Sequence, residues 1–434
     1  MWFVLLFFVL IIGTPIAVIV FLYRAVTGLF RKAWTTSAAP HAPPAPVERP
    51  ITRVEEAIAE LKGSDDGFSR ALLEDFLYAL FAEVMTNRPR LEVMAAYLSP
   101  GVREIYDRRP VYAVRDIVVG ALRITHVGVD RGARKIELTV EFEANYTEVR
   151  AEEQAYYVCE QWRLVRSADA KSREPDAARA ITCPHCGAPI DRFVAGKCGY
   201  CGHVATEGLD DWYVVDLSIL SREPRGPMLT GETEEVGTDL PTIVDAGVNT
   251  AWRALCERDP SVTWESFTAR VAEVFAAFYD GWSRRDLSRV RPYLSDGLFA
   301  TQQYWIKAYV EAGLRNIAGD PRMTTVQLAR VTSDKYYDAI TVRIYASCLD
   351  HTVDDTGKLV SGSRDKPRVY SEYWTFLRGR GAKGARRGVA PECPSCGAPL
   401  DVNMAGCCAH CDAKVTRGDF DFVLSRIEQD ESYE

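Results

Sequence analysis

Cys393-Pro394-Ser395-Cys396-Gly397-Ala398-Pro399-Leu400, answered by Cys408-Ala409-His410-Cys411, is the stretch around which the rest of the chain falls into order. Two Cys-x-x-Cys pairs about a dozen residues apart, with Pro and Gly in the first turn, have the spacing of a zinc ribbon. Zn²⁺ takes four tetrahedral thiolates, and each tight knuckle supplies two of them from one turn. Upstream stands a near copy: Cys183-Pro184-His185-Cys186-Gly187-Ala188-Pro189-Ile190, then Cys198-Gly199-Tyr200-Cys201. The inner gap is equal in both when Cys408, and not its neighbour Cys407, is the third ligand of the second. A redox dithiol needs only one such pair per unit, so the expectation is two structural zinc ions. They would be held by Cys183, Cys186, Cys198 and Cys201, and by Cys393, Cys396, Cys408 and Cys411.

The likeness extends outward from the cysteines. Cys159-Glu160-Gln161-Trp162 to Arg166 precedes the first ribbon, and Ser371-Glu372-Tyr373-Trp374 to Arg378 precedes the second. Tyr97-Leu98-Ser99-Pro100-Gly101 matches Tyr293-Leu294-Ser295-Asp296-Gly297, and Thr206-Glu207-Gly208 matches Thr416-Arg417-Gly418. The chain reads as a tandem duplication of a unit of about 160 residues.

A length of 434 residues accommodates two or three domains, and a net charge of −8 argues against nucleic acid as the main partner. Of the twelve cysteines eight belong to the ribbons, and Cys159, Cys256, Cys348 and Cys407 form no evident disulfide framework. That pattern fits a reducing compartment. From Trp2 to Tyr23 no side chain is charged, and Arg24, Arg31 and Lys32 follow. A span of that length crosses a bilayer, and the flanking charges place the remainder in the cytoplasm, at the inner membrane. A cleaved signal peptide is the rival reading, against which stand the missing basic leader and the long apolar run.

The domains expected are an anchor at 1–24, a Pro/Ala-rich linker with a short helix at 25–67, and a first unit at 68–222 with its ribbon at 181–205. An acidic linker and lead-in helix follow at 223–262, then a second unit at 263–430 with its ribbon at 391–415. Phe68, Leu72, Phe76, Leu80 and Val84 share one helical face, as do Phe267, Val271, Val274, Phe275 and Phe278. Further helices are predicted over Leu91–Leu98, Thr242–Arg258, Leu287–Leu294 and Leu298–Ile317. Strands are predicted at Ile117–Val129, Lys135–Tyr146, Gln154–Val165 and Asp211–Leu220. In the second unit they are predicted at Thr324–Val331, Ala339–Leu349 and Arg368–Leu377. Helices followed by an antiparallel sheet make each unit α+β.

Phe275-Ala276-Ala277-Phe278-Tyr279 leading to Trp282, then Asp286-Leu287, Arg291-Pro292-Tyr293-Leu294 and Leu314-Arg315-Asn316, resemble the domain of the mitochondrial inner-membrane translocase subunit 44. So do Ile340 to Ile344, Asp350, Gly357 to Gly362 and Glu372 to Phe376. The resemblance spans roughly Trp264 to Arg378, with a weaker copy from Phe68 to Arg166. It implies a cone of helices and curved sheet related to the nuclear transport factor 2 superfamily, enclosing an apolar pocket. It also implies work at membranes as a scaffold or receptor, in protein transport or ribosome tethering. This chain departs from the mitochondrial members in its anchor, its two copies and its ribbons.

The expected function is a membrane-anchored cytoplasmic scaffold or receptor binding a protein, lipid or apolar ligand. Phe275, Phe278, Tyr304, Trp305, Trp374 and Phe376 are the candidate pocket lining, with ordinary core packing as the other reading. Arg378, Arg380, Lys383, Arg386 and Arg387, interleaved with glycines, are candidates for contact with anionic lipid or with RNA phosphates; a solvated linker is the alternative. An acid–base enzyme is the rival class, and Asp350-His351 is the pair to watch. Adjacent strand residues face opposite ways, however, so catalysis is not expected. A ribosome- or RNA-binding adaptor is the third reading.

Overall fold

A computed structural model describes residues 44–130, 132–230, 237–382, 392–430 and 432–433. The apolar run from Trp2 to Tyr23 lies outside the described residues, as do Lys383, Arg386 and Arg387. Among the described residues no helix is long and apolar enough to cross a membrane.

A short strand β1 (Val47–Arg49) leads into α1 (Arg53–Ser64). The Thr52 hydroxyl accepts from the Glu55 N–H while the Glu55 carboxylate accepts from Thr52, so the helix starts on a capping box. Helix α2 (Arg70–Thr86), capped by Ser69, carries the apolar face read from the sequence and buries Leu72, Phe76, Leu77, Leu80, Phe81 and Val84. A 3₁₀ segment (Arg88–Ala96) and α3 (Pro100–Asp107) follow. Then come β2 (Ala113–Asp130), β3 (Lys135–Val149) and β4 (Glu153–Ser167), the small helix α4 (Pro175–Ala178), and the ribbon strands β5 (Phe193–Val194) and β6 (Lys197–Cys198). Strand β7 (Tyr213–Glu223) returns to the sheet, giving the antiparallel order β2-β3-β4-β7. Along β3 the residues Ile136, Leu138, Val140, Phe142, Ala144 and Tyr146 are buried and their neighbours half-buried, the period-two pattern of a sheet with one core face.

After β8 (Ile243–Asp245) the second half has α5 (Val248–Arg258), α6 (Trp264–Arg284) and α7 (Asp296–Glu311). Its strands are β9 (Leu314–Ser333), β10 (Tyr337–Asp354), β11 (Leu359–Gly362), β12 (Arg368–Gly379) and β13 (Val423–Gln429). They run antiparallel in the order β9-β10-β12-β13, with β11 against the far end of β10. This is the strand order of the first sheet. In both sheets the pairing of the first two strands slips register three times, and such bulges bend a sheet.

Four expectations fail locally. Leu91–Leu98 is not an α-helix: Pro89 and the extended Arg90 (φ −150°) leave only 3₁₀ turns. The helix expected to reach Ile317 ends at Glu311, because Gly313 turns with φ 65° and Leu314 begins β9. In the lead-in, Ile243–Asp245 is a strand pairing in parallel with β1, so the helix begins only at Val248. The stretch Leu287–Leu294 is likewise two 3₁₀ turns, Leu287–Arg289 and Arg291–Tyr293.

The halves join through charge. Arg49 and Arg330 each pair with Glu55 and Asp245, which ties β1, α1, β8 and β9 together. Arg426 of β13 pairs with Glu74 of α2, Arg179 with Asp75 and the Tyr337 hydroxyl, and Lys307 of α7 with Asp116 of β2.

Candidate metal centres and binding cleft

Each ribbon hangs on two knuckles built alike. In the first, Cys183 N–H donates to Ala188 O (2.7 Å) and Gly187 N–H to Cys183 O (2.9 Å). In the second, Cys393 N–H donates to Ala398 O (2.7 Å) and Gly397 N–H to Cys393 O (2.8 Å). Gly187 and Gly397 both stand at φ 75°, which explains the glycine after each second cysteine. The turns bring Cys183 and Cys201 to 4.0 Å and Cys186 and Cys198 to 3.9 Å between sulfurs. Cys393 and Cys411 lie at 3.8 Å, and Cys396 and Cys408 at 4.0 Å. Four thiolates about 2.3 Å from a tetrahedral Zn²⁺ would sit about 3.8 Å apart, so both sets are compatible with zinc. Cys407 stands outside the cluster, its thiol directed at Ala405 O, and the third position belongs to Cys408. The ribbon thiols are unequal: the Cys201 N–H pulls Cys198 down to about 7 and that of Ala413 does the same for Cys411, while burial pushes Cys183 and Cys393 up.

The repeated Glu-x-Trp…Arg pattern is structural wiring. Trp162 Nε1 donates to Glu160 (2.9 Å) and Trp374 Nε1 to Glu372 (2.9 Å). Glu160 is fully buried and also accepts from the Tyr106 hydroxyl at 2.6 Å. Burial pushes its carboxyl above the usual range, against the pull of Tyr106, Trp162 and Arg88. The closing arginines pair with the C-cap aspartates of the helices that open each half: Arg166 with Asp65 (2.9 Å) and Arg378 with Asp259 (2.8 Å). Arg378 is thereby corrected from a surface-contact residue to a buried element of the fold. Arg380 donates to Asp334 O at 2.9 Å and remains at the surface.

Four of the expected pocket aromatics close on one another. Trp374 lies 5.8 Å from Phe275, 5.7 Å from Phe278 and 6.3 Å from Phe376 between ring centroids, and all four are buried in the second core. They are core. Tyr304 and Trp305 sit half-buried on α7, and Trp305 lines a cavity. That cavity, about 300 Å³, lies between the halves, bounded by Tyr78 and Glu74 of α2, Leu298, Thr301 and Trp305 of α7, and the outer face of β10, β12 and β13. A second of about 340 Å³ shares Arg70, Tyr78, Arg330, Arg426 and Glu428 with it and extends toward β2 and β3. The lining mixes charged side chains with Tyr78, Trp305 and the aliphatic Leu298, Leu377 and Ile427, and it lies between the halves instead of inside one unit as the resemblance implied.

Asp350 and His351 do not converge. Asp350 is bound by Arg368 (2.9 Å) and Asn316 (2.8 Å), while His351 Nδ1 contacts Leu349 O (2.9 Å) within the strand. His351 stands inside β10, half-exposed and paired across to Ile317 and Gly362. Sequence reasoning passed over His185, His203 and Asp210, which gather beside the first ribbon. The available signal was the histidine inside the first knuckle and another just past the last cysteine.

Residues 248–386 match the Tim44-like domain. No curated protein matches the chain. Among solved structures, an Ntf2 like protein involved in plasmid conjugation aligns at 7% identity, covering 81% of this chain and 96% of that one, with a TM-score of 0.17. At that score the likeness carries no argument.

Proposed function

We propose that the chain is a membrane-anchored scaffold of two Tim44-like units, each steadied by a structural zinc ribbon, that binds a protein segment in the cleft between them. The observation that carries this reading is the place of the cavities. The aromatic cores are filled, and the roomy space lies where α2 of one half faces the sheet and α7 of the other. A space of about 300 Å³ is at the lower end of ordinary ligand sites. Charges of both signs beside Trp305 and Tyr78 suit a polypeptide with mixed side chains better than a lipid tail. The Tim44-like match over the second half supports a binding module, and the shared strand order supports extending that reading to the first. The anchor rests on the uncharged run Trp2 to Tyr23 and the cations after it, which favour the cytoplasmic side of the inner membrane.

Two measurements test this. A photo-crosslinker at Gln302, which lines the cleft, should give a discrete adduct in intact membranes, while one at exposed Leu359 should not. Equal labelling from both positions, or none from Gln302, would remove the cleft from consideration. Alkaline phosphatase fused after Glu434 should stay inactive, and strong activity would reverse the topology.

A further inference from the structure

We infer that His185, His203 and Asp210 form a third metal site on the first ribbon, distinct from its four thiolates and taking a first-row divalent cation of the zinc and nickel class. One donor atom from each residue lies within 4.8 Å of the others. His203 Nε2 is 2.7 Å from Asp210 Oδ2, and the rings of His185 and His203 stack with centroids 4.5 Å apart and planes 5° from parallel. Two imidazoles and one carboxylate are a donor set suited to these cations.

The positions are fixed by structure that exists for other reasons. His185 lies inside the Cys183–Cys186 knuckle, and the His203 carbonyl accepts the Cys198 N–H at 2.8 Å, so both backbones are held by the thiolate turns. Asp210 follows Gly208, whose carbonyl accepts the Ser167 N–H at 2.6 Å, which ties that loop to the end of β4. His185 is exposed and the other two half-exposed, so the side chains can close the remaining distance around an ion. Three protein ligands would leave a fourth position open to water or to a partner's side chain.

The second ribbon supplies the internal contrast. In its register these positions are Ser395, Ala413 and Phe420, so a ribbon of this build folds without the two histidines and the aspartate. Two of the chain's six histidines stand together on the first ribbon at positions that the second fills with Ser395 and Ala413.

The test uses the full chain, purified in detergent without a polyhistidine tag and saturated with zinc at the ribbons. Titration with Ni²⁺ by calorimetry should show one saturable equivalent, with no thiolate-to-nickel absorption. His185→Ser with His203→Ala, the residues the second ribbon already carries, should abolish that equivalent while leaving ribbon zinc unchanged. His410→Ala should retain it. Absence of a saturable equivalent in the wild type, or its persistence in the double variant, would overturn the proposal and leave an imidazole stack hydrogen-bonded to a carboxylate.

Discussion

The two ribbons have the same cysteine spacing and nearly the same sulfur geometry, yet they are attached to their units by opposite chemistry. The first drives Phe193 (1% exposed) and Ile190 (7%) into the core of its half, with β5 against the 3₁₀ segment Arg88–Ala96. Tyr97 adds a hydrogen bond to Thr182 O at 2.6 Å. In the second ribbon the position of Phe193 is Asn403, whose side chain caps the Cys407 N–H. There the unit reaches out instead. Arg291, 1% exposed, donates to Met404 O (3.0 Å), pairs with Asp296 and lies over the Phe299 ring at 4.3 Å. The apolar residues of this ribbon form a small cluster of their own, Cys393, Cys408 and Val415. Metal geometry is thus indifferent to how a ribbon docks. Docking decides whether loss of the metal is felt locally or throughout the unit.

Removing zinc should therefore break the comparison most visibly. Structural zinc contributes about 10–16 kcal/mol to small zinc folds. Cys183→Ser and Cys393→Ser should each lose one zinc per chain by elemental analysis. Hydrogen exchange should then separate them. Cys183→Ser should speed exchange in α2, whose core includes Phe193, whereas Cys393→Ser should leave α6 protected and loosen only 392–415. Equal loosening of both helices, or zinc content unchanged in either variant, would refute the contrast.

The next effect tests the two docks without touching the metal. Phe193→Ala should cost about 3–5 kcal/mol in denaturant midpoint through lost burial and a cavity. Arg291→Met should cost about 2 kcal/mol, since it removes charged hydrogen bonds but leaves Asp296 with Lys414 and with water. If Arg291→Met proved the more damaging, the second ribbon would be the better integrated of the two.

Much of this was legible in sequence, and what escaped has physical reasons. The ribbons were readable because thiolate geometry leaves few spacings, and β3 because strict alternation has one solution. The ends of β9 and of the lead-in helix were not, since Leu314 to Ile317 and Ile243 to Asp245 suit helix or strand alike. Their fate turned on Gly313 and on pairing with Val47–Arg49, some 196 residues away in the chain. The role of Arg378 also escaped, because a cation among glycines resembles surface until Asp259 is seen beneath it. The aromatics of the second unit were ambiguous in purpose, because only packing separates a filled core from a pocket. The charged cleft was invisible because it belongs to neither half alone.

That cleft allows a third test, now of the join between the halves. Glu74 (12% side-chain exposure) holds both Arg70 and Arg426 (23%), so Glu74→Gln leaves Arg426 with Glu428 alone, on its own strand, and removes the ion pair that crosses the join. With Glu428 still in place, losing the charged hydrogen bond across the join costs about 1–3 kcal/mol. The loss should appear as two separate thermal transitions where the wild type shows one. Glu74→Leu with Arg426→Met should restore much of the coupling, because an apolar pair of similar volume replaces the ionic one. Failure of that rescue would mean that the join depends on Arg49, Arg330 and Asp245 instead.

The smallest effect is one of pH, and it has opposite signs at the join and in the first core. At Glu74 burial alone would raise the carboxyl, but Arg426 and Arg70 outweigh it and the folded value lies below the ordinary one. Stability from that pair is present above the usual glutamate range and is lost as pH falls through the lowered value. At Glu160 burial wins over Tyr106, Trp162 and Arg88, so the folded value is raised. Its contribution is complete below the usual glutamate range and declines as pH rises through the raised value, because the folded state then holds a proton the unfolded chain has released. Glu160→Gln imitates the protonated form and keeps an oxygen for the Tyr106 and Trp162 donors. Denaturant midpoints should accordingly fall less steeply from acid toward neutral pH in Glu160→Gln than in the wild type. The acid-side loss governed by Glu74 should be unchanged in that variant. A variant whose profile parallels the wild type throughout would show that Glu160 is ionised in the folded core, with Arg88 supplying the balancing charge.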